Sequence, residues 1–479
     1  MRTSRRSRWR AGWRSLYSCG MTTFRAVVTT GIYCRPGCPA RPLAENVRTF
    51  ELAATAEAAG FRACLRCRPY RVAGPVGPEA PELVCRAVQL ILAGVLDGGT
   101  EVTLGARLGV SPRHLRRLFN DHLGVTPDQL ARSRRAHFAR RLLDDSDLAL
   151  VDVAFASGFG SLRQFNREMR QVFRAVPSEL RQRRRRTDRL AADGGLAMRL
   201  PFRRPFDWDG VLDHLAARAV PGVESVEERV YRRTISLDGE AGLLEVHPGE
   251  QDNLVLVAHL PYWEGLIHVV ERASRMVAVD VETGPAVDDL SADPVVGPLV
   301  SARPGLRAPG AWGAFEVALH AVVAQHGDLP WTRARTGALV RRFGLPVPGL
   351  THGLTHLFPS AEVLAGEELT GIGLPTGAAD TVRGLARRVA DGDVVLDGGA
   401  SSADLVAGLT AVEGIGRAAA EQIALRLGHR DAFPVDAPAV RRALRELGVR
   451  DPERAAEGWW PWRAVVAAHL VARGEATVS

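Results

Sequence analysis

The chain has 479 residues, and all 62 of its Lys+Arg residues are arginine, because lysine is absent from the sequence. That absence excludes a lysine Schiff base, and with it a pyridoxal-phosphate anchor, an imine-forming glycosylase–lyase and a phosphate loop ending in Gly-Lys-Ser/Thr. Residues 1–189 carry 34 arginines against 16 acidic residues and residues 190–479 carry 28 against 38, so nucleic acid is the expected partner of the front half and a different one is expected for the back. A chain of this length is expected to form two to four domains. It has no run of eighteen apolar residues, so no membrane partner is expected. Six cysteines without a secretory signal point to a reducing cytoplasm.

Residues 1–20 form a basic extension, with Arg2, Arg5, Arg6, Arg8, Arg10 and Arg14 but no apolar core for a signal peptide. Translation could equally begin at Met21. Cys34-Arg-Pro-Gly-Cys38 and Cys64-Leu-Arg-Cys67 follow as two close pairs separated by 25 residues. Four thiolates at this spacing can close a tetrahedral Zn²⁺ site, the metal holding them deprotonated. Two pairs of incidental thiols are the plainer alternative, and Cys19 and Cys85 are read that way. The flanking runs Ala26-Val-Val-Thr-Thr-Gly-Ile-Tyr-Cys-Arg-Pro-Gly-Cys-Pro-Ala-Arg41 and Ala59-Gly-Phe-Arg-Ala-Cys-Leu-Arg-Cys-Arg-Pro69 resemble the N-terminal domain of the Ada family of methylphosphotriester–DNA methyltransferases. The resemblance implies that Cys34 is the methyl acceptor and that Cys38, Cys64 and Cys67 are its co-ligands on zinc. One departure is Ser18-Cys-Gly-Met-Thr-Thr-Phe24, where the family has an Asp-Gly-aromatic strand. Four thiolates on Zn²⁺ carry a formal charge of about −2, and methylating one leaves about −1, which weakens repulsion of DNA phosphate. Such a stoichiometric event can act as a sensor switch.

Val72-Ala-Gly-Pro-Val-Gly-Pro-Glu79 reads as a linker, and from Pro81 to about Arg186 the pattern is helical. Leu104-Gly-Ala-Arg-Leu-Gly-Val-Ser-Pro-Arg-His-Leu-Arg-Arg-Leu-Phe119 has the form helix, Gly-Val turn, helix, with Ser111 as N-cap and Pro112 in the first turn. Arg113, His114, Arg116 and Arg117 project from the second helix and suit a major groove and its phosphates, although a solvated basic face would look the same. A second copy, Ala154-Phe-Ala-Ser-Gly-Phe-Gly-Ser-Leu-Arg-Gln-Phe-Asn-Arg-Glu-Met-Arg170, resembles the signature of AraC-type regulators. That family places two helix-turn-helix units on a connecting helix, here at about 126–143. The resemblance puts Arg163, Gln164 and Arg167 on the second recognition helix.

In the acidic half, Gly242-Leu-Leu-Glu-Val-His247 and Asn253-Leu-Val-Leu-Val-Ala-His259 alternate like strands. Pro205-Phe-Asp-Trp208 and Leu215-Ala-Ala-Arg-Ala-Val220 resemble the N-terminal sheet domain of AlkA-type glycosylases. Arg303-Pro-Gly-Leu-Arg-Ala-Pro-Gly310, Leu409-Thr-Ala-Val-Glu-Gly-Ile-Gly416 and Trp460-Pro-Trp-Arg463 with His469 resemble their helical catalytic region. Gly414 and Gly416 would form a hairpin whose N–H groups approach a DNA phosphate, glycine having no Cβ to block them. In the family one Asp after the hairpin supports attack on the sugar of a flipped base. The resemblance places that residue at Ala437, so Asp436, one residue earlier, is the candidate carboxylate. Ala418 and Gln422 stand where relatives carry aromatic walls. Gln325-His-Gly-Asp-Leu-Pro330 replaces the segment bearing the DNA wedge, with Pro330 expected to interrupt a helix.

The expected fold is a multidomain α+β chain. It comprises a small zinc-binding α/β module (21–72), a linker (73–80), an all-α double helix-turn-helix domain (81–186), a second linker (187–197), an AlkA-like N-terminal sheet domain (198–303) and an all-α helix-hairpin-helix glycosylase domain (304–479). The expected function is an alkylation sensor and transcriptional activator fused to a monofunctional DNA-3-methyladenine glycosylase. Zn²⁺ is its cofactor, and double-stranded promoter DNA, alkylated DNA and RNA polymerase are its partners. A regulator with a catalytically impaired glycosylase-like DNA-binding domain is the alternative. The Pro-Cys-His-Arg sequence of guanine-O6 methyltransferases is absent, so no O6-methylguanine repair is expected.

Overall fold

The computed structural model describes residues 24–35, 38–69, 81–185, 188–190 and 194–476. The expectations for residues 1–20, Cys19, Met21 and the linker 73–80 lie outside the described residues. Strands β1 (Phe24–Val27), β2 (Ile32–Cys34), β3 (Val47–Phe50) and β4 (Arg62–Ala63) form a sheet in the order β3-β1-β2-β4. A short helix, Ala53–Ala58, buries Ala54 and Ala56, whose small side chains let it lie close against its neighbours.

The helical block begins with Glu82–Leu92 and Val95–Gly98, then Glu101–Leu108 and the first recognition helix, Pro112–Leu123. Gly109 turns between the last two in the left-handed region at φ 70°. Ser111 caps the recognition helix by accepting from the His114 N–H, and Pro112 sits in its first turn, as the sequence suggests. The connecting helix runs Pro127–Asp145 behind a Thr126/Gln129 capping box. It continues past the expected end because Asp144 and Asp145 are buried and ion-paired. Leu150–Ala156, the second recognition helix Leu162–Phe173 and Pro177–Gln182 complete the block.

A second sheet pairs β5 (Leu196–Pro201), β6 (Glu224–Glu227), β7 (Val230–Leu237), β8 (Glu240–Pro248) and β9 (Asn253–His259) in the order β5-β9-β8-β7-β6. β8 and β9 contain the two alternating runs. β5 starts at Leu196, inside the expected linker, because Leu196, Met198 and Leu200 all point into the core. The Leu190 N–H ahead of it donates to the Asp145 carbonyl at 3.1 Å. The three N-terminal modules consequently share one hydrophobic core, which runs from Phe24 and Tyr33 through Phe138, Leu142 and Phe165 to Leu256 and Trp312.

The C-terminal helices pack around Leu319, Val322, Leu339, Leu385, Leu409 and Ile423. Helix Ala314–Val323 ends before Pro330, which occupies the first turn of Leu329–Phe343 beneath an Asp328 cap. A proline is accommodated at that place because its missing N–H has no intrahelical partner to lose. The sheet is locked to this region by Arg233, whose Nη2 lies 3.0 and 2.8 Å from the Glu316 carboxylate oxygens, and by a 2.6 Å hydrogen bond from the Thr234 hydroxyl to the His356 carbonyl. Among the described residues no helix is long and apolar enough to cross a membrane.

Candidate functional site

Parallel pairing of β2 with β4, in register Tyr33↔Ala63, brings two cysteines together at adjacent strand ends. Cys34 closes β2, and the Cys64 N–H just beyond β4 donates to the Tyr33 carbonyl at 2.9 Å. The Arg68 N–H donates to the Cys64 carbonyl at 3.0 Å and closes the turn that presents Cys67. All four sulfurs lie within 4.8 Å of one another. Tetrahedral Zn–S bonds of ~2.3 Å require neighbouring sulfurs ~3.8 Å apart, so the set fits Zn²⁺ with small side-chain adjustments. The protons support the same conclusion. Hydrogen bonding with Cys64 and Cys67 pushes the Cys34 thiol up, while bonding with Cys34 pulls the Cys64 thiol down. Four sulfurs this close cannot all ionise without a cation between them. Cys34, Cys38 and Cys64 are buried and Cys67 is half-buried.

On the first recognition helix, Leu115, Phe119 and Leu123 face inward while Arg113, Arg116 and Arg117 are exposed. Arg116 is ion-paired with Glu101, and Arg117 Nη2 lies 3.0 Å from His114 Nδ1. On the second, Arg163 and Arg167 are exposed. The Gln164 side chain accepts from the Gly160 N–H at 3.2 Å and donates to Glu168 at 3.3 Å. Arg116 and Gln164 therefore have protein partners, whereas Arg113 and Arg163 are exposed on the outer face. Both helices present a polar face over an apolar seam, the arrangement that lets a helix enter a groove.

The hairpin lies between Ser402–Thr410 and Arg417–Arg426. Gly414 takes φ 87°, and a Cβ there would lie 2.0 Å from Thr381 Oγ1, so no other residue fits. The Gly416 N–H, read from sequence as a phosphate donor, is already occupied: it donates to Gln325 Oε1 at 2.8 Å. Gln325 Nε2 in turn donates to the Gly414 carbonyl at 3.2 Å and the Val322 carbonyl at 3.3 Å. The first-turn N–H groups of the following helix remain without intrahelical partners and are the better anion donors. Sequence reasoning missed Gln325 because the two ends of the clamp are 91 residues apart. Its removal is expected to let the hairpin drift. In Gln325→Ala, thermal unfolding should show a loss of about 1 kcal/mol, as for two lost hydrogen bonds worth ~1 kcal/mol each partly offset by relaxation.

Asp436 is exposed, and Ala437 is buried at the N-cap of Pro438–Glu446 with φ −62° and ψ 134° and no side-chain cap. The Arg417 guanidinium on the hairpin helix is held above its ordinary value, chiefly by its hydrogen bond to Glu421, with Glu453 and Asp436 adding attraction. Ala418 is half-buried, and neither it nor Gln422 supplies a ring for stacking.

Sequence comparison matches three profiles to this chain: the metal binding domain of Ada at residues 7–70, a helix-turn-helix domain at 104–183, and the AlkA N-terminal domain at 197–313. A Mycobacterium tuberculosis protein described as a probable bifunctional transcriptional activator/DNA repair enzyme AlkA is 39% identical over 456 residues, covering 93% of this chain and 91% of the relative. The Escherichia coli DNA-3-methyladenine glycosylase 2 is 27% identical over 279 residues, covering 57% of this chain and 95% of that enzyme. Among solved structures, a 3-methyladenine DNA glycosylase from Archaeoglobus fulgidus aligns with a TM-score of 0.51 at 22% identity over 58% of this chain and 98% of its own, a likeness of fold.

Proposed function

Because the chain belongs to the family of bifunctional regulator/DNA repair proteins that join an Ada-type metal-binding domain and a helix-turn-helix domain to an AlkA-type region, we propose that Cys34 takes the methyl group of a DNA methylphosphotriester and that the two recognition helices then hold promoter DNA. The observation that carries this reading is the four-sulfur cluster, with Cys34 at the end of a strand and three cysteines around it. Bound Zn²⁺ supplies the positive charge that keeps all four sulfurs as thiolates. The Cys34 sulfur attacks the methyl carbon, an S–CH₃ bond forms, and the CH₃–O bond breaks with its electron pair leaving on the phosphate oxygen. The products are a thioether and an ordinary phosphodiester, so each molecule reacts once. The loss of one negative charge favours DNA, which Arg113 and Arg117 meet in one groove and Arg163 and Arg167 in the next. Recruitment of RNA polymerase would follow from the reader's position on promoter DNA.

The same proposal assigns 21–72 to methyl acceptance, 81–186 to DNA reading, and 198–303 with 304–479 to removal of alkylated bases, with Asp436 as the available carboxylate. The buried Ala437 favours a second reading of the acidic half as a binder of damaged DNA with impaired chemistry. One pair of assays tests both readings. After incubation with methylphosphotriester duplex, peptide mass mapping should find a single added methyl on Cys34, and an adduct on another cysteine would overturn the assignment. Release of 3-methyladenine from alkylated duplex measures the second activity. Binding of abasic DNA without any release would leave the second reading standing.

A further inference from the structure

Away from the thiolates and the recognition helices, six charged side chains from three modules meet at one place. Arg68, the residue after Cys67, sets Nη1 2.5 Å from Asp188 Oδ1 and 3.6 Å from Asp144 Oδ2, while its Nη2 donates to Asp188 Oδ2 at 2.6 Å. Arg140 pairs with Asp144 at 2.6 Å. Arg199 on β5 donates to Asp145 at 2.7 Å and to the Asp188 carbonyl at 2.7 Å. Three arginines thus face three aspartates, drawn from the zinc module, the connecting helix and the entry to the second sheet. Arg68, Arg140, Asp144, Asp145 and Asp188 are all buried.

Two further features point from this cluster back to the sulfurs. Arg68 has φ 51°, a left-handed conformation that costs a side-chain-bearing residue energy and persists only where its surroundings enforce it. Its N–H closes the turn holding Cys64 and Cys67, so one residue both shapes the metal turn and aims a guanidinium at the connecting helix. The other sulfur pair has a parallel link. Tyr33, next to Cys34, donates to Glu57 at 2.7 Å, and Glu57 lies 2.6 Å from His137 Nε2 on the same connecting helix. Thr55 of the zinc module donates to the carbonyl of Leu123, the last residue of the first recognition helix, at 3.0 Å.

A buried ion cluster adds little net stability over apolar packing, but breaking one member leaves an uncompensated charge, so it enforces a single relative placement of its elements. We propose that Arg68 is a positioning residue that transmits the state of the four-cysteine cluster to the connecting helix and to β5, so that the metal site governs the order of the DNA reader and of the sheet behind it. The proposal rests on the reading of the four cysteines as a zinc site. It adds a mechanical route from sulfur to DNA reader beside the change in charge.

The test is amide hydrogen exchange on the full chain, with zinc bound and after its removal by a chelator, following peptides across 134–146 and 196–201 with 417–426 as internal control. In the wild type, zinc removal should speed exchange in 134–146 by about tenfold or more and leave 417–426 unchanged. In zinc-loaded Arg68→Gln, exchange in 134–146 should already be raised, and zinc removal should add less than about a further twofold. Asp188→Asn, which keeps the shape but removes the partner charge, should behave likewise and serves if the first variant does not fold. Colorimetric zinc release must show one metal bound in each variant. A wild type whose 134–146 exchange ignores zinc, or variants that respond as the wild type does, would overturn the coupling. A wild type that releases no zinc would overturn the metal reading and the coupling with it.

Discussion

Cys34→Ala is expected to lose methyl transfer completely while binding promoter DNA more tightly than the unmethylated wild type. The two halves of that result come from separate features of one residue. Removing the sulfur removes the proposed nucleophile, and the buried Cys38 and Cys64 and the half-buried Cys67 remain as ligands. Three thiolates still hold Zn²⁺, with water able to fill the fourth position. The site then carries a formal charge of about −1 rather than −2, the same as the methylated wild type. One unit charge facing a phosphate at ~4 Å is worth about 1 kcal/mol in bulk water, or roughly fivefold in affinity, and the difference shrinks as salt rises. Promoter titrations at two salt concentrations therefore give a direct comparison of three species: unmethylated wild type, methylated wild type and Cys34→Ala. Charge alone predicts that the last two coincide. If Cys34→Ala instead binds like the unmethylated protein, the methyl group acts through shape, and the ionic link from Arg68 to Asp144 and Asp188 becomes the main route. Cys38→Ala serves as the contrast, since it too leaves three thiolates and a formal charge of about −1 but keeps Cys34 in place.

Legibility in the sequence followed distance along the chain. Two Cys pairs, a Ser111-Pro112 helix start and a Gly109 turn are local patterns, and the structure realises each of them. The two expected strands of the second sheet also alternate cleanly and appear as β8 and β9. β5 was hidden because its short run crosses the expected linker and includes Arg199, whose charge looks like surface until Asp145 is placed opposite it. The Arg68–Asp188 pair spans 120 residues, and Arg68 is one of 34 arginines in residues 1–189. No spacing rule could choose those partners among so many. The same holds for Glu101, which takes up Arg116 only because two helices of one unit fold back on each other. At the hairpin, the pattern of glycines was readable, but the occupation of the Gly416 N–H by Gln325 was not. Motifs located the sites, and tertiary contacts determined which of their groups are already in use.

Ala437→Asp is expected to raise release of 3-methyladenine by about 10²-fold over the wild type, on the scale that one well-placed stabilising group contributes to a developing charge. The backbone is already suitable. Position 437 is an N-cap with φ −62° and ψ 134°, the extended geometry from which an Asp side chain accepts first-turn N–H bonds, and no side chain caps that helix now. Burial of a carboxylate there would be offset by those N–H groups and by the positive end of the helix, which also keep it ionised at neutral pH. An ionised, buried carboxylate is what an oxocarbenium-like sugar requires, and the exposed Asp436 meets that need poorly because water screens its charge. Thermal unfolding should accordingly show Ala437→Asp no less stable than the wild type, with a cap contribution of about 1 kcal/mol. The companion substitution Asp436→Ala should abolish whatever release the wild type retains and leave the activity of Ala437→Asp largely intact. Single-turnover release from a duplex with one lesion measures all three variants. A folded Ala437→Asp protein that releases no more base than the wild type would show that the carboxylate is not what limits excision. The loss would then lie in the pocket, where Ala418 and Gln422 offer no ring to hold a flipped base, and the acidic half would be a reader of damaged DNA.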